Sequence, residues 1–414
     1  MGNRLRGEIG SKGCERFGVA KRGEDGFAGG MNQGRTIFSQ LVSAIHPQQF
    51  ARLARQFPRQ RATRSLSAWE HFLAMAFAQV TLRESLRDLI VCLAARPGLR
   101  YQLGFRHPLA RSTLADANER RDWRLFAALA EHLLQQARGL YVGDPTPLAE
   151  LESIYALDAS IIGLSLALCP WANWNGRDAA VKLHLLLDLR GSIPAWVRVS
   201  EAELYETRLL PEVPVEPGAY YLVDRGYHDF QTFYRWHQAR AFFVARAKPN
   251  VCFRVRAWRR VDKHTGLRCD QTVCLSGRAA PRYPELLRRV HFHDAQNNQS
   301  LVFWTNQFAL PALTIAELYR QRWQVELFFK WIKYNLRLRH FLGISDNAVR
   351  IQIWSAICVY ALIAIAKKRF QLPHSLHQLL QVFSIAAGEK IPLTELFEPE
   401  NAPHFDNQLT LTGI

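Results

Sequence analysis

The sequence lacks the marks of a secreted, disulfide-bonded or zinc-finger protein. Its seven cysteines, at positions 14, 92, 169, 252, 269, 274 and 358, form no Cys-x2-Cys pair, so neither a zinc site nor a disulfide framework is indicated. An odd number of scattered cysteines in a 414-residue chain fits a reducing cytosol. The first thirty residues hold no apolar stretch of the kind a signal peptide needs. Gly2 is not followed by the Ser or Thr at position 6 that a myristoylation site has. Gly-x-Gly-x-x-Gly, P-loop and Gly-x-Ser-x-Gly patterns are all missing, which leaves nucleotide-driven and serine-hydrolase chemistry without support. Long hydrophobic runs are scarce: residues 351–366 (IQIWSAICVYALIAIA) form a strongly apolar one. It is short for a membrane span and contains Gln352 and Ser355, so a buried core helix is expected and a membrane protein is not. Acid is scarce too, with 36 Asp and Glu against 53 Lys and Arg and a net charge of +17. That balance favours a polyanionic partner, nucleic acid first.

The pattern along the chain divides it. Residues 1–30 are Gly-rich, charged and aperiodic, and read as a disordered or untranslated extension, with Met31 as an alternative start. Residues 31–145 read as a helical domain. Ser67 caps one helix and Ser85 another, and Ser112 or Thr113 caps a long one running through LADANERRDWRLFAALAEHLLQQA. Arg52, Arg55, Arg59, Arg61 and Arg64 make its early part basic, which suits either a solvated face or a DNA-binding one. Residues 143–150 read as a linker. Three strands follow (from SIYALDASIIGLSL, VKLHLLLDLRG and IPAWVRVSEA), then a helix near 203–211, a strand in GAYYLVDRGY, a helix at 229–239 and a strand in AFFVARAK. This order suits an α/β core with a mixed sheet, spanning 146–370. Residues 249–306 interrupt it with basic, strand-like segments, a β-rich insertion. Residues 371–414 read as a helical tail.

Residues 313–339 (LTIAELYRQRWQVELFFKWIKYNLRLR) read as one long helix. On it Tyr319, Arg322, Glu326 and Lys333 fall within about 60° of one another at helical pitch. Lys330 and Arg337 extend the basic side, while Trp323, Leu327, Phe328, Trp331 and Ile332 supply an apolar remainder for packing on a sheet. Two further acids stand at strand ends with nothing local to neutralise them, Asp158 in YALDAS and Asp224 in YYLVDRGY. Taken singly, Asp158 is as well a cap and Asp224 a turn residue or a partner of Arg225. Together with Glu326 they make a carboxylate triad from two strands and a helix, the hard-oxygen ligand set that two Mg²⁺ ions need. Lys182 and His184 share a face of the next strand and are placed to reach a phosphate or to edge the sheet. Asp229 reads as a helix cap, Asp188 as a turn acid, and His291 and His293 as exposed strand residues.

These residues resemble a family. The Tyr319-x2-Arg322-x3-Glu326-x6-Lys333 spacing, the Asp224-Arg225-Gly226-Tyr227 box and Asp158 are similar to the motifs of bacterial DDE transposases of the insertion sequence four family. Similar text runs from about Met31 to about 370, including SLSAWEHFLAMAFAQ, KLHLLLDLRG and HFLGISDNAVRIQIW. The chain departs from relatives in having Asp158-Ala159-Ser160 after the first strand and SEAELYETRLL after the third. The resemblance implies a ribonuclease-H-like core with Asp158, Asp224 and Glu326 as catalytic metal ligands for two Mg²⁺, which Mn²⁺ can replace. It implies that Tyr319, Arg322 and Lys333 grip the DNA backbone, with Lys330, Arg225 and Lys182 as further DNA-binding candidates; Trp258 and Trp304 are candidates to stack a flipped base, each equally well a core residue. It further implies cut-and-paste transposition through a hairpin, a homodimer on double-stranded DNA at terminal inverted repeats and target, and a cytoplasmic, nucleoid-associated protein. A nuclease of the same fold and a catalytically inactive transposase-derived DNA-binding protein are the alternatives at this point.

Overall fold

The computed structural model describes residues 34–57, 66–95, 97–148, 151–336, 338 and 340–397. The expectations for residues 1–30, for Arg59, Arg61, Arg64 and Arg337, and for the end of the tail lie outside them. The first part is helical: α1 (Ile37–Val42), α2 (Pro47–Gln56), α3 (Ala68–Val80), α4 (Leu86–Ala95), α5 (Pro97–Gln102), α6 (Arg111–Arg120) and α7 (Arg124–Tyr141). Local chemistry sets several starts. Ser67 and Glu70 form a reciprocal capping box on α3, and the Ser85 hydroxyl accepts from Asp88 N at 3.1 Å in the first turn of α4. The single long helix expected from residue 114 is instead two. Arg121 turns extended (φ −79°, ψ 130°), its guanidinium donates to Leu66 O, and the Asn347 amide donates to Asn118 O and Arg121 O. The two Asn347 bonds satisfy carbonyls at the break.

Nine strands form one mixed sheet: β1 (Ile154–Leu164), β2 (Ala179–Asp188), β3 (Ile193–Glu201), β4 (Tyr220–Val223), β5 (Phe242–Arg246), β6 (Phe253–Arg259), β7 (Leu267–Leu275), β8 (Leu287–Asp294) and β9 (Gln299–Thr305). Their order is β3-β2-β1-β4-β5-β9-β8-β7-β6. The β1–β4 and β4–β5 pairs are parallel and the others antiparallel. The four strands of the insertion therefore continue the central sheet, joined to it where β9 pairs with β5. α8 (Phe230–Gln238) connects β4 to β5, with Asp229 as its cap accepting from Thr232 N. The helix expected near 203–211 is replaced by two 3₁₀ turns, Glu206–Arg208 and Leu210–Glu212, with Pro211 in the second.

α9 (Ala312–Gln321), α10 (Trp323–Asn335), α11 (Asp346–Arg369) and α12 (Leu376–Ala386) follow. α11 holds the apolar run and is buried along almost its whole length, packed on α3, α7 and β3. It is long and apolar enough to cross a membrane, but its surface is spent on the protein core, as expected of a core helix. The sheet separates two cores. On β1, Ile154, Ala156 and Ile162 point to the helical side, and Tyr155 and Leu157 to the side of α8. Alternation then places Asp158 and Ser160 on the helical side.

Candidate active site

Parallel pairing sets the site. The last β1–β4 pair is Leu157↔Val223, and the last β4–β5 pair is Val223↔Ala245. The next residues, Asp158, Asp224 and Arg246, stand in a row just past the parallel-paired stretch of β1, β4 and β5, where Asp158 still pairs with Leu185 of β2 and Arg246 with Phe303 of β9. Asp224 begins the 3₁₀ turn Arg225–Tyr227, which ends the strand and turns the chain away. Sequence patterns locate each strand but not their adjacency, which is why Arg246 escapes a reading that finds Asp158 and Asp224.

The helical side brings the rest. The expected single helix is interrupted at Arg322, where N–H bonds tighten to three-residue spacing: Arg322 N to Tyr319 O, and Val325 N to Arg322 O, both 3.1 Å. Tyr319 therefore lies on α9, and Glu326 and Lys333 on α10. Arg322 Nη1 donates to Asp158 Oδ2 at 2.7 Å and its Nη2 to Glu326 Oε1 at 2.6 Å. The Tyr319 hydroxyl donates to Asp224 Oδ1 at 2.9 Å, and its ring lies 5.6 Å from the guanidinium carbon. Lys333 Nζ donates to Ser160 Oγ at 2.6 Å, one alternate position along β1 from Asp158. Thus two strand ends, a helix end and a second helix converge through three carboxylates, a phenol, a guanidinium and an ammonium.

The electrostatics separate the two aspartates. Burial pushes the Asp158 carboxyl up to about 6; Arg322 and the Ala159 N–H oppose this, while Glu326 and Asp224 add to it. Burial also pushes Asp224 up, but the Arg225 N–H, the Tyr319 hydroxyl and the charges of Arg322 and Arg246 outweigh it and hold the carboxyl below the ordinary aspartate range. Such crowding of negative charge is what a divalent cation relieves, and oxygen donors on rigid elements are the set it binds. Among the described residues no three acidic, His or Cys side chains are close enough to share one ion in this arrangement. The Arg322 guanidinium stands between two of the carboxylates. The three carboxylates offer the hard oxygen donors that a divalent cation takes.

The other candidates separate clearly. Arg225 and Lys330 are exposed. Lys182 is a correction. The β1–β2 register pairs Ile161 with Lys182 and Asp158 with Leu185, so Lys182 lies on the opposite face from Asp158. There its ammonium is tied to Glu206 Oε1 at 3.0 Å and to Leu204 O at 2.8 Å, and it cannot reach the carboxylates. His184 on the same face bonds Ser200. Trp258 is 69% exposed, whereas Trp304 is 1% exposed and packs against Phe230 and Phe253. Trp304 also lines a cavity of about 350 Å³, together with Arg225, Lys248 and Arg289. Trp323 and Leu327, expected to pack, are exposed, and the packing of α10 rests on Val325, Phe328, Phe329 and Ile332.

Comparison with known proteins gives the same direction. Residues 150–362 match the family described as transposase DDE domain, and residues 33–106 match a domain of unknown function (DUF4372). The chain is 34% identical over 283 residues to "Putative transposase y4zB" of Sinorhizobium fredii, covering 66% of this chain and 77% of that one. It is 30% identical over 208 residues to "Probable transposase for insertion sequence element IS5377" of Geobacillus stearothermophilus, covering 50% of this chain and 55% of that one. A cryo-EM structure of a piggyBac transposase synaptic complex with hairpin DNA superposes with a TM-score of 0.42 at 10% identity, over 87% of this chain and 80% of that one. That likeness is too loose to carry an argument.

Proposed function

The chain belongs to the transposase DDE domain family and is an enzyme of DNA cleavage and transfer, and from that premise we propose that Asp158, Asp224 and Glu326 are its catalytic carboxylates, acting on the ends of an insertion sequence. The observation that carries this reading is the convergence of these three acids with Tyr319, Arg322 and Lys333 at the paired ends of β1 and β4. The strand order β3-β2-β1-β4-β5, with β1, β4 and β5 parallel, supports a ribonuclease-H-like core.

Asp158, Asp224 and Glu326 would hold two Mg²⁺ ions (or Mn²⁺), which when bound would supply activation of the attacking water or 3′-hydroxyl and stabilisation of the leaving 3′-oxygen. The chain's own residues do the positioning. Asp158 is fixed by its pairing with Leu185 of β2, and Asp224 by the end of β4 and the turn it begins. Arg322 presents a fork that matches a phosphate in two hydrogen bonds, and Lys333 presents a point charge beside it. Arg225 and Lys330 extend the cationic path at the surface. Cleavage is proposed to run through a hairpin: water breaks the first strand and frees a 3′-hydroxyl, that hydroxyl attacks the opposite strand and releases the flanking DNA, water reopens the hairpin, and the regenerated 3′-hydroxyl attacks a target phosphodiester, releasing a target 3′-hydroxyl. The cavity lined by Trp304, Arg225, Lys248 and Arg289 is the place for an unstacked base, and exposed Trp258 is the second candidate. A homodimer on double-stranded DNA, in the bacterial cytoplasm at the nucleoid, completes the reading.

The test is strand transfer. Purified protein, Mg²⁺ and a duplex ending in the inverted repeat that borders the gene should join that end covalently to a supercoiled plasmid. Nicks alone, with no joined product, would assign the protein to a nuclease of the same fold.

A further inference from the structure

The side chains that the family motif gives to DNA are turned inward. Tyr319 is 7% exposed and the Arg322 side chain 12% exposed. Their polar groups are engaged with the protein's own acids: the phenol with Asp224, and the two ends of the guanidinium with Asp158 and Glu326. Arg322 Nε is buried and has no hydrogen-bond partner. A cation shared by Asp158 and Glu326 needs the space that this guanidinium fills, and two cations there would repel strongly at low dielectric.

We propose that Arg322, seated on Tyr319, is the resident counter-ion of the catalytic carboxylates, and that an arriving DNA phosphate draws it off and so admits the divalent cation. This rests on the reading that the three acids hold metal. The exchange is chemically matched, because guanidinium–phosphate and guanidinium–carboxylate pairs use the same two-pronged geometry. Arg322 sits at the junction of α9 and α10, where the N–H bonds tighten to three-residue spacing. Cation and DNA end then load together. By linkage, each raises the affinity for the other by the same factor.

The experiment reads metal binding, not turnover. Free Mn²⁺ is titrated by electron paramagnetic resonance against the full chain without DNA, in the wild type, Arg322→Gln, Arg322→Lys, Glu326→Gln and the double variant Arg322→Gln/Glu326→Gln. Loss of two charge-assisted hydrogen bonds to the carboxylates should tighten Mn²⁺ binding by about tenfold or more in Arg322→Gln. A smaller gain is expected in Arg322→Lys, which also serves if the Gln variant does not fold. The double variant should lose the gain. A short duplex from the element's border should tighten Mn²⁺ binding by the wild type but not by Arg322→Gln. Unchanged or weaker binding in both Arg322 variants, with Glu326→Gln still weakening it, overturns the proposal and leaves the metal reading intact. If neither Arg322 nor Glu326 affects Mn²⁺ binding, the metal reading fails and the proposal with it.

Discussion

Single side chains carry the chemistry, and spacing made most of them legible. Tyr319, Arg322, Glu326 and Lys333 share a helical stripe in the sequence and converge in the fold. Lys182 was not legible, because strand alternation shows that it shares a face with His184 but not which face of the sheet that is. Its role is set by Glu206, which arrives from a 3₁₀ turn. Lys182→Met should therefore cost about 1–3 kcal/mol of stability by leaving Glu206 half-buried and unpaired. It should leave affinity for the element's end unchanged, as denaturant titration and filter binding can check together. Lys333→Ala should do the reverse, weakening end binding and lowering the salt slope by about one. The two tryptophans separate in the same way: Trp304→Ala should cost about 3–5 kcal/mol by opening a core cavity, and Trp258→Ala less than about 0.5.

At the scale of elements, periodicity found the strands and most helices but not their breaks. Arg322 keeps helical angles (φ −55°, ψ −29°), so the hydrophobic pattern runs on across the junction of α9 and α10. Arg322 is also tied to Asp158 on β1, a contact that no local pattern encodes. The break between α6 and α7 has the same origin, since Leu66 and Asn347 lie far from Arg121 in sequence. The insertion was visible as strands, whereas its continuity with the central sheet depends on β9 pairing with β5, a non-local contact. Local signals were reliable where chemistry is local. Ser67→Ala removes the hydroxyl that accepts from Glu70 N, while the backbone N–H bond to the Glu70 carboxylate survives, and should lower stability by about 1 kcal/mol, measured as a shift in the unfolding midpoint.

The whole molecule joins a helical part to the mixed sheet through α11, and its charge suits a DNA partner. Its acid sensitivity follows from two histidines. Burial, with help from Lys182 at His184 and Lys248 at His228, lowers both to about 4, against an ordinary value of 6.5. Between those values the folded state binds fewer protons than the unfolded one, so stability is present above about 6.5 and is lost as pH falls toward 4. Asp158, raised to about 6, acts in the opposite sense. Two groups against one should give a falling melting temperature from pH 7 to pH 5, with a shallower slope in His184→Asn. The central claim is that three carboxylates from β1, the end of β4 and α10 act as one metal-dependent site. The most direct test is Mg²⁺-dependent nicking at the element's end by the wild type and by folded Asp158→Asn, Asp224→Asn and Glu326→Gln. Nicking should be seen with the wild type and fall at least about a thousandfold in each variant, the scale on which removing an essential group costs an active site. Cleavage at near wild-type rate by any one of the three would remove that residue from the site and contradict the account.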